Sequence, residues 1–384
     1  MRLIKELPCP SLLKLVLAAV FILSAIIFLR VLTYEYYPDF SSYYYAPIKA
    51  FNGENPYLGG KDFFTAFVYP PPVLLFFYPF TFLPFFIAQK VFLIISILCL
   101  LLSIGLLFRL FKLASLSILG LFFITLVLNY FPEKFTLGMG QINNVVLLMV
   151  TLFLYFYVKK KEILSGFFLT FAIALKLFPI LLIIYLIFDK RWKTLLSVVL
   201  TTLVIVVFTF IFVNSWIISY FSMTVLPSLL ESWKADYYNQ SLSAFLIREF
   251  SSLELASIVM PAISVILIII SLMLVWVFRK NDKSGLLSIN LLITVSLIVN
   301  TFSWQHHFVW LLTPLLITFY NIKNNHLGKS YYFILGLSYV LMAVNLKNPS
   351  SFPVFLQSHV FYGALLLYIL DAYLLFKKTN IKKL

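Results

Sequence analysis

Long apolar runs recur along the whole chain, and they constrain its fold more than any other feature. The first run, residues 12–32, is interrupted by charge only at Lys14 and Arg30, and crossing a bilayer takes about 20 residues of helix. Only 11% of the residues are charged, against about 25% in a typical soluble domain, and the mean hydropathy is +1.01. The sequence therefore predicts an all-α polytopic membrane protein. It excludes a cytosolic enzyme, a secreted disulfide scaffold and a disordered chain.

The basic residues set the expected orientation. Twelve membrane segments with both termini cytoplasmic place 20 of the 29 Lys and Arg residues on the cytoplasmic side. Such an excess is the usual bias of helical membrane proteins. The net charge of +15 does not indicate nucleic acid as a partner, because the basic residues form short clusters between apolar runs. The twelve predicted segments are residues 12–32, 86–108, 114–131, 143–158, 163–175, 177–189, 194–213, 256–278, 284–301, 308–322, 330–346 and 357–376.

The segments 163–175 and 177–189 are short, and they could instead form one helix broken at a proline. Lysines 159–161 precede the pair, and a second basic cluster, 190–193, follows it. Both clusters belong on the cytoplasmic side only if the chain crosses the membrane and returns. We therefore predict two segments, with Lys176 at the turn between them.

We expect a single integral membrane domain over residues 1–384, located in the cell membrane. In this topology the long loops 33–85 and 214–254 are extracytoplasmic, and the polar clusters lie on the same face. A transporter more often carries polar groups through the middle of the membrane, at broken helices. An enzyme acting on lipid-borne substrates would gather them at one edge, so we expect loops 33–85 and 214–254 to form the active-site face. A lipid-linked glycan flippase or another membrane carrier is the alternative interpretation.

Asp39 is the candidate catalytic base. It follows the first segment in a tyrosine-rich stretch at the membrane edge, where partial desolvation makes a carboxylate more basic. Such a group can take a proton from an incoming hydroxyl. The alternative is a solvated loop acid, or a cap on a helix that begins near Phe40.

Lys176 is the most informative lone charge, because an intramembrane lysine is costly and is a functional hypothesis by default. Snorkelling to the interface is the alternative. An anionic partner, such as a lipid-linked phosphate, would account for its position better. The adjacent His306 and His307 point to different faces of a helix and make a poor paired metal site, so we predict no metal there. A phosphate or a hydroxyl suits them better.

Other residues on the same face complete the predicted substrate-binding set. Tyr69 precedes a proline run that we interpret as a helix start, and its ring, like that of Trp304, suits stacking on a sugar. The amides of Gln141 and Asn143 could bind sugar hydroxyls or equally cap the helix at 143. The set also includes Asn239, Gln240 and Arg248 in the second long loop.

Taken together, these motifs resemble glycosyltransferase family 87, which includes polyprenyl-phosphate-mannose-dependent phosphatidylinositol mannoside mannosyltransferases of actinobacteria. The similarity covers roughly residues 30–320, in order along the chain. The motifs are Asp39-Phe40 with tyrosine-rich flanks, GENPY at 53–57, YPP at 69–71, GQIN at 140–143, residues 166–176 with Pro179, NQS at 239–241 and SWQHH at 303–307.

The resemblance implies a GT-C fold and a donor in which a sugar, with mannose expected, is joined to a polyprenyl phosphate. It implies a lipid or glycan acceptor, inversion at the anomeric carbon, and no cofactor or required metal. By position, Asp39 matches the family's loop aspartate, the expected base. Lys176 and the histidines at 306–307 fall in segments that would face the donor phosphate. Asp39 lacks the second acidic neighbour of paired-acid relatives, so metal assistance is not expected.

Overall fold

The structure, a computed structural model, describes residues 10–213, 215–225, 235–251 and 253–377. Within these ranges the chain is helical and forms no β-strand, apart from one isolated antiparallel bridge between Asn239 and Trp304. The α-helices are α1 Pro10–Leu29, α2 Pro38–Phe51, α3 Pro72–Phe77, α4 Phe85–Leu110, α5 Ile118–Asn129, α6 Phe131–Met139, α7 Asn143–Val158, α8 Glu162–Leu175, α9 Leu181–Phe188, α10 Trp192–Val213, α11 Ser215–Tyr220, α12 Leu242–Phe250, α13 Leu253–Phe278, α14 Leu286–Val299, α15 Leu312–Asn324, α16 Lys329–Ala343 and α17 His359–Phe376.

This architecture agrees with a polytopic all-α membrane protein. Five of the described helices are long and apolar enough to cross a membrane, and α5 with α6, bent by 53°, would make a sixth if the pair is one span. Several other apolar helices are shorter: 14 residues of helix reach about 21 Å, less than a hydrocarbon core of about 30 Å. The count of twelve spans and the GT-C fold stay predictions. The ends of the chain, 1–9 and 378–384, lie outside the described residues, so the orientation of the termini also stays a prediction. The five long helices are Lys14–Thr33, Phe85–Leu110, Trp192–Val213, Val259–Asn281 and Val354–Phe376.

Helices α8 and α9 form a hairpin. Lys176 follows the last residue of α8 in an extended conformation (φ −151°, ψ 126°), and one 3₁₀ turn leads into α9. At the end of the pair away from Lys176, Arg191 Nη1 lies 3.8 Å from Oε1 of Glu162, the first residue of α8. One straight helix between these two residues would hold them about 40 Å apart. The two basic clusters therefore share one end of the hairpin, and Lys176 lies at the other.

Helix α14 is central to the bundle. Every side chain from Leu286 to Ile298 is buried, which is typical of a helix surrounded by others. Helices α9, α13, α15 and α17 pack against it. The 3₁₀ segment Gln305–Leu311, which carries both candidate histidines, also contacts α14 and continues into α15. The histidines are thus attached to the most buried part of the fold.

The first long loop is structured by helices and aromatic packing. The proline run starts a helix, as interpreted from the sequence, since Pro72 is the first residue of α3. Helix α2 lies in this loop, and its Phe40 and Tyr43 are fully buried. The Tyr43 ring stacks on Phe77 at a centroid distance of 4.4 Å. This packing places the start of α2, and with it Asp39, against the helical bundle.

Candidate active site

Asp39 lies in the first turn of α2 and is 7% exposed. The helix begins at Pro38, one residue before Asp39, and its N-cap residue is Tyr37. The Asp39 carboxylate instead accepts hydrogen bonds from across the fold: Gln141 Nε2 donates to Oδ2 at 2.5 Å, and Thr65 Oγ1 donates to Oδ1 at 3.4 Å. Asp39 is therefore a buried acid held by tertiary contacts.

Burial dominates the acidity of Asp39. Loss of solvent raises the pKa of its carboxyl group from 3.8 to about 6, while the hydrogen bond from Gln141, the charge of Lys176 and the Thr65 hydroxyl pull the pKa back down. A base poised near neutrality is well suited to accept a proton during a reaction.

Gly140 allows the segment that carries Gln141 to approach α2. Its φ is +71°, a left-handed conformation that side chains rarely adopt. A Cβ atom built there would lie 2.9 Å from the Cβ atoms of both Tyr37 and Phe40. Only glycine fits this contact, which brings Gln141 to Asp39.

Lys176 is also buried, at 8% exposure, rather than extended to the surface. Its Nζ donates to Asn143 Oδ1 at 2.8 Å and lies 2.8 Å from His307 Nε2. The ammonium also stands 5.3 Å from the ring centroids of Tyr69 and Trp310. None of the described carboxylates forms a direct ion pair with it. Burial lowers the pKa of Lys176 from 10.5 to about 7, while the charge of Asp39 pulls the pKa back up. The protein thus holds a titratable cation in place without a described carboxylate in contact with it.

The two histidines face different partners. The His307 ring stacks on Trp310 at 5.3 Å, whereas the His306 ring packs edge-on to Phe135 at 5.3 Å. Burial and the charge of Lys176 lower the pKa of both rings well below the usual value, so both are neutral near pH 7. A neutral His307 accepts from the Lys176 ammonium through Nε2, which places its own proton on Nδ1.

Asn143 joins these elements. Its Nδ2 donates to the backbone oxygen of His306 at 3.1 Å, its Oδ1 accepts from Lys176, and its backbone oxygen accepts from Trp310 Nε1 at 3.0 Å. Gln141, two residues earlier, holds Asp39. One short segment before and at the start of α7 therefore holds both the acid and the cation.

Asn239, Gln240 and Arg248, in the second long loop, hydrogen-bond to backbone groups. Gln240 donates to the backbone oxygens of Tyr237 and Gln357, and its Oε1 accepts from the first N–H groups of α17. Asn239 donates to the Thr301 carbonyl, and its Oδ1 accepts from the Ser303 N–H. These amides hold the loop to the segment before the histidines. Their assignment to substrate stays a prediction.

Arg248 and Trp304 contact the same loop through Asn239. Arg248 bonds to Ser358 Oγ at 3.0 Å and to the backbone oxygen of Asn239 at 2.9 Å. Trp304 is half-buried and forms the bridge to Asn239. The structure therefore brings Asp39, Tyr69, Gln141, Asn143, Lys176 and both histidines into one cluster. It places Asn239, Gln240 and Arg248 in an adjoining network of backbone contacts.

Sequence reasoning missed several residues of the cluster. The Tyr43 hydroxyl donates to Gln141 Oε1, and the Thr65 hydroxyl donates to Asp39 Oδ1. The Trp310 ring lies 5.3 Å from the Lys176 Nζ atom. Glu133, fully buried, accepts from Asn144 Nδ2 at 2.8 Å just behind Asn143. An acidic residue seven positions before the GQIN motif was the sequence signal available for Glu133. Tyr43 was one of many tyrosines in its stretch and had no such signal.

A separate apolar cavity of 610 Å³ opens between α4, α5, α15 and α16. Its lining contains no charged side chain, and Asp39 is not part of it. Such a space suits hydrocarbon and not an ionic headgroup.

The fold and the cluster define a polytopic membrane protein in which an acid and a cation are buried together at one end of the helices. The sequence profile of glycosyltransferase family 87 matches residues 67–301, and the chain belongs to this family. It is accordingly a membrane glycosyltransferase. No curated protein matches the chain.

The match covers more than half of the chain but is narrower than the resemblance read from the motifs. It includes Tyr69, Gln141, Asn143 and Lys176. Asp39 precedes it, and the 303–307 motif follows it. Membership in the family therefore does not depend on the candidate base.

Proposed function

We propose that this enzyme transfers a hexose, with mannose as the expected sugar, from a polyprenyl-phosphate donor to a hydroxyl of a lipid or glycan acceptor. The reaction takes place on the extracytoplasmic face of the cell membrane and inverts the anomeric carbon. The supporting observation is that a buried carboxylate and a buried ammonium belong to one cluster, held by amides only two residues apart. An inverting transferase needs a base for the acceptor hydroxyl and a group that stabilises the charge of the leaving phosphate, and these two side chains can supply both.

The carboxylate acts on the acceptor. Asp39 takes the proton of the acceptor hydroxyl as the oxygen forms its bond to the anomeric carbon, and the bond from that carbon to the phosphate oxygen breaks. Attack from the face opposite the phosphate gives inversion. The proton ends on Asp39, and the electron pair leaves with the polyprenyl phosphate.

The cation acts on the leaving group. The phosphate gains a negative charge as its bond to the sugar breaks, and a fixed ammonium in a buried site stabilises that charge. Lys176 has three N–H donors, of which Asn143 and His307 orient two. The third can be donated to a phosphate oxygen. Because the leaving phosphate is a stable anion, the mechanism uses no general acid.

The donor class is tested with the purified chain in lipid nanodiscs, supplied with an acceptor lipid extract and either polyprenyl-phosphate mannose or a nucleotide-linked mannose. We expect a mannosylated lipid from the first donor only, with the opposite anomeric configuration, detected by mass spectrometry and NMR. Transfer from the nucleotide donor, or retention of configuration, would contradict the proposal.

Matched variants connect the product to the cluster. Lys176→Met should lower turnover sharply, whereas Lys347→Met, at an exposed lysine outside the cluster, should leave it unchanged. Equal loss in both variants would show that the change reflects general damage and not the site.

A further inference from the structure

We propose that Gln141 is a positioning residue that presents Asp39 as the base through its Oδ1 atom, and that the phenols of Tyr43 and Tyr69 fix the orientation of the Gln141 amide. This inference rests on the proposed role of Asp39. It assigns to Gln141 and Tyr69 a role in positioning the base, in place of direct contact with substrate.

The hydrogen bonds around Gln141 agree on one orientation of its amide. A carboxylate only accepts hydrogen bonds, so the group that faces Asp39 must be the NH₂. The Gln141 Oε1 atom then points the other way, where Tyr43 OH lies at 2.7 Å and Tyr69 OH at 3.0 Å. Each phenol has one proton to donate, and both donate to this oxygen. The reversed amide would set its oxygen against the carboxylate.

The two oxygens of Asp39 are therefore unlike each other. Oδ2 accepts from Gln141 at 2.5 Å, a short charge-assisted bond, while the hydrogen bond that Oδ1 receives from the described residues is the long one of 3.4 Å from the Thr65 hydroxyl. Oδ1 is the oxygen left for the acceptor proton. The bond to Oδ2 sets the rotation of the carboxyl group, and a displacement of about 1 Å at a reacting group can cost about 10²-fold in rate.

The other titratable groups near Asp39 are compatible with this orientation of the Gln141 amide. Tyr43 comes from its own helix, Tyr69 from the loop before α3, and Lys176 from the turn between α8 and α9. Burial raises the pKa of both phenols above the usual value, so they stay neutral donors. Lys176 and the Gln141 bond both stabilise the carboxylate form of Asp39. Removing the Gln141 bond should therefore raise the pKa of the base.

The pH dependence of kcat/KM tests this inference. The wild type should lose activity below the pKa of Asp39. In Gln141→Leu this acid limb should move up by about one to two pH units, the value of one hydrogen bond to a charged group. The plateau rate should also fall about tenfold to hundredfold. The double variant Tyr43→Phe with Tyr69→Phe keeps both rings and removes only the hydroxyls, so its limb should move in the same direction by less.

Tyr44→Phe is the matched control. Tyr44 is a buried tyrosine of the same helix whose hydroxyl donates to the Leu83 carbonyl at 2.7 Å, away from Asp39. The acid limb of the kcat/KM profile of this variant should stay at the wild-type pH. Lower rates at every pH with an unmoved limb in both test variants would overturn the positioning role and leave the proposed function intact. A wild-type profile without an acid limb would overturn the base assignment, and this inference with it.

Discussion

Replacing Asp39 with asparagine should inactivate the enzyme and stabilise its fold at the same time. Asparagine keeps the shape of the side chain. Its oxygen can accept from Gln141, and its NH₂ can donate to the Thr65 hydroxyl, so both contacts survive. The change removes the proton acceptor and the negative charge that interacts with Lys176. Because general-base catalysis is typically worth about 10² to 10⁴-fold, turnover should fall by that order while donor binding changes little.

The stability effect follows from the pKa. The folded protein holds the Asp39 proton up to about pH 6, whereas the unfolded chain releases it near 3.8. Between these values the native state binds more protons, so its stability falls as pH rises. Above pH 6 the buried charge costs about 3 kcal/mol, which the neutral asparagine avoids. The variant should unfold at a higher temperature than the wild type at pH 7.5, and the gap should close towards pH 4.

Turnover and thermal unfolding, measured on the same preparations in nanodiscs at both pH values, check this prediction. Asp39→Glu serves as the control that keeps the charge, and it should be both slow and no more stable than the wild type, since its carboxylate is displaced. An Asp39→Asn variant with near-normal turnover would refute the role of Asp39 as the base. One that is inactive and less stable at pH 7.5 would refute the reasoning from burial.

Three further predictions concern other parts of the molecule. A cysteine placed at Asp62 should react with an impermeant reagent in intact cells, whereas one at Lys160 should be protected, and the reverse pattern would invert the topology. Lys176→Met should lower kcat/KM for the donor and Lys176→Arg restore part of it; an unchanged kcat/KM in the Met variant would remove this lysine from the phosphate site. Gly140→Ala should lower both stability and activity, because its Cβ meets Tyr37 and Phe40 at 2.9 Å, whereas Gly53→Ala, whose Cβ meets nothing within 4 Å, should lose only the cost of its φ of +81°.

Apolar runs and charged residues predicted the positions of several helix ends. The start of α7 at Asn143 and the hairpin turn at Lys176 both fall where the pattern indicates. The count of twelve spans stays a prediction, because a short apolar helix can be buried among others, as α14 is, without crossing the lipid alone.

The site was predictable as a set of residue types but not as a set of contacts. Asp39 and Lys176 stood out because a charge in or beside apolar sequence is costly wherever it lies. The hydrogen bond between Asp39 and Gln141 joins residues 102 positions apart, and no local sequence pattern around either residue predicts it. The side chain of Gln240 accepts hydrogen bonds from backbone N–H groups of α17, a contact that its motif does not indicate, and its assignment to substrate stays a prediction.

The length of α8 has a consequence for the membrane itself. Its 14 residues rise about 21 Å, while a typical hydrocarbon layer is about 30 Å thick. If the lysines at 159–161 mark one boundary of that layer, Lys176 lies roughly 10 Å short of the other. A phosphate that reaches this ammonium must leave the plane of the lipid headgroups, or the bilayer must thin around the protein. Turnover should accordingly depend on the acyl-chain length of the surrounding lipids and be faster in thinner bilayers.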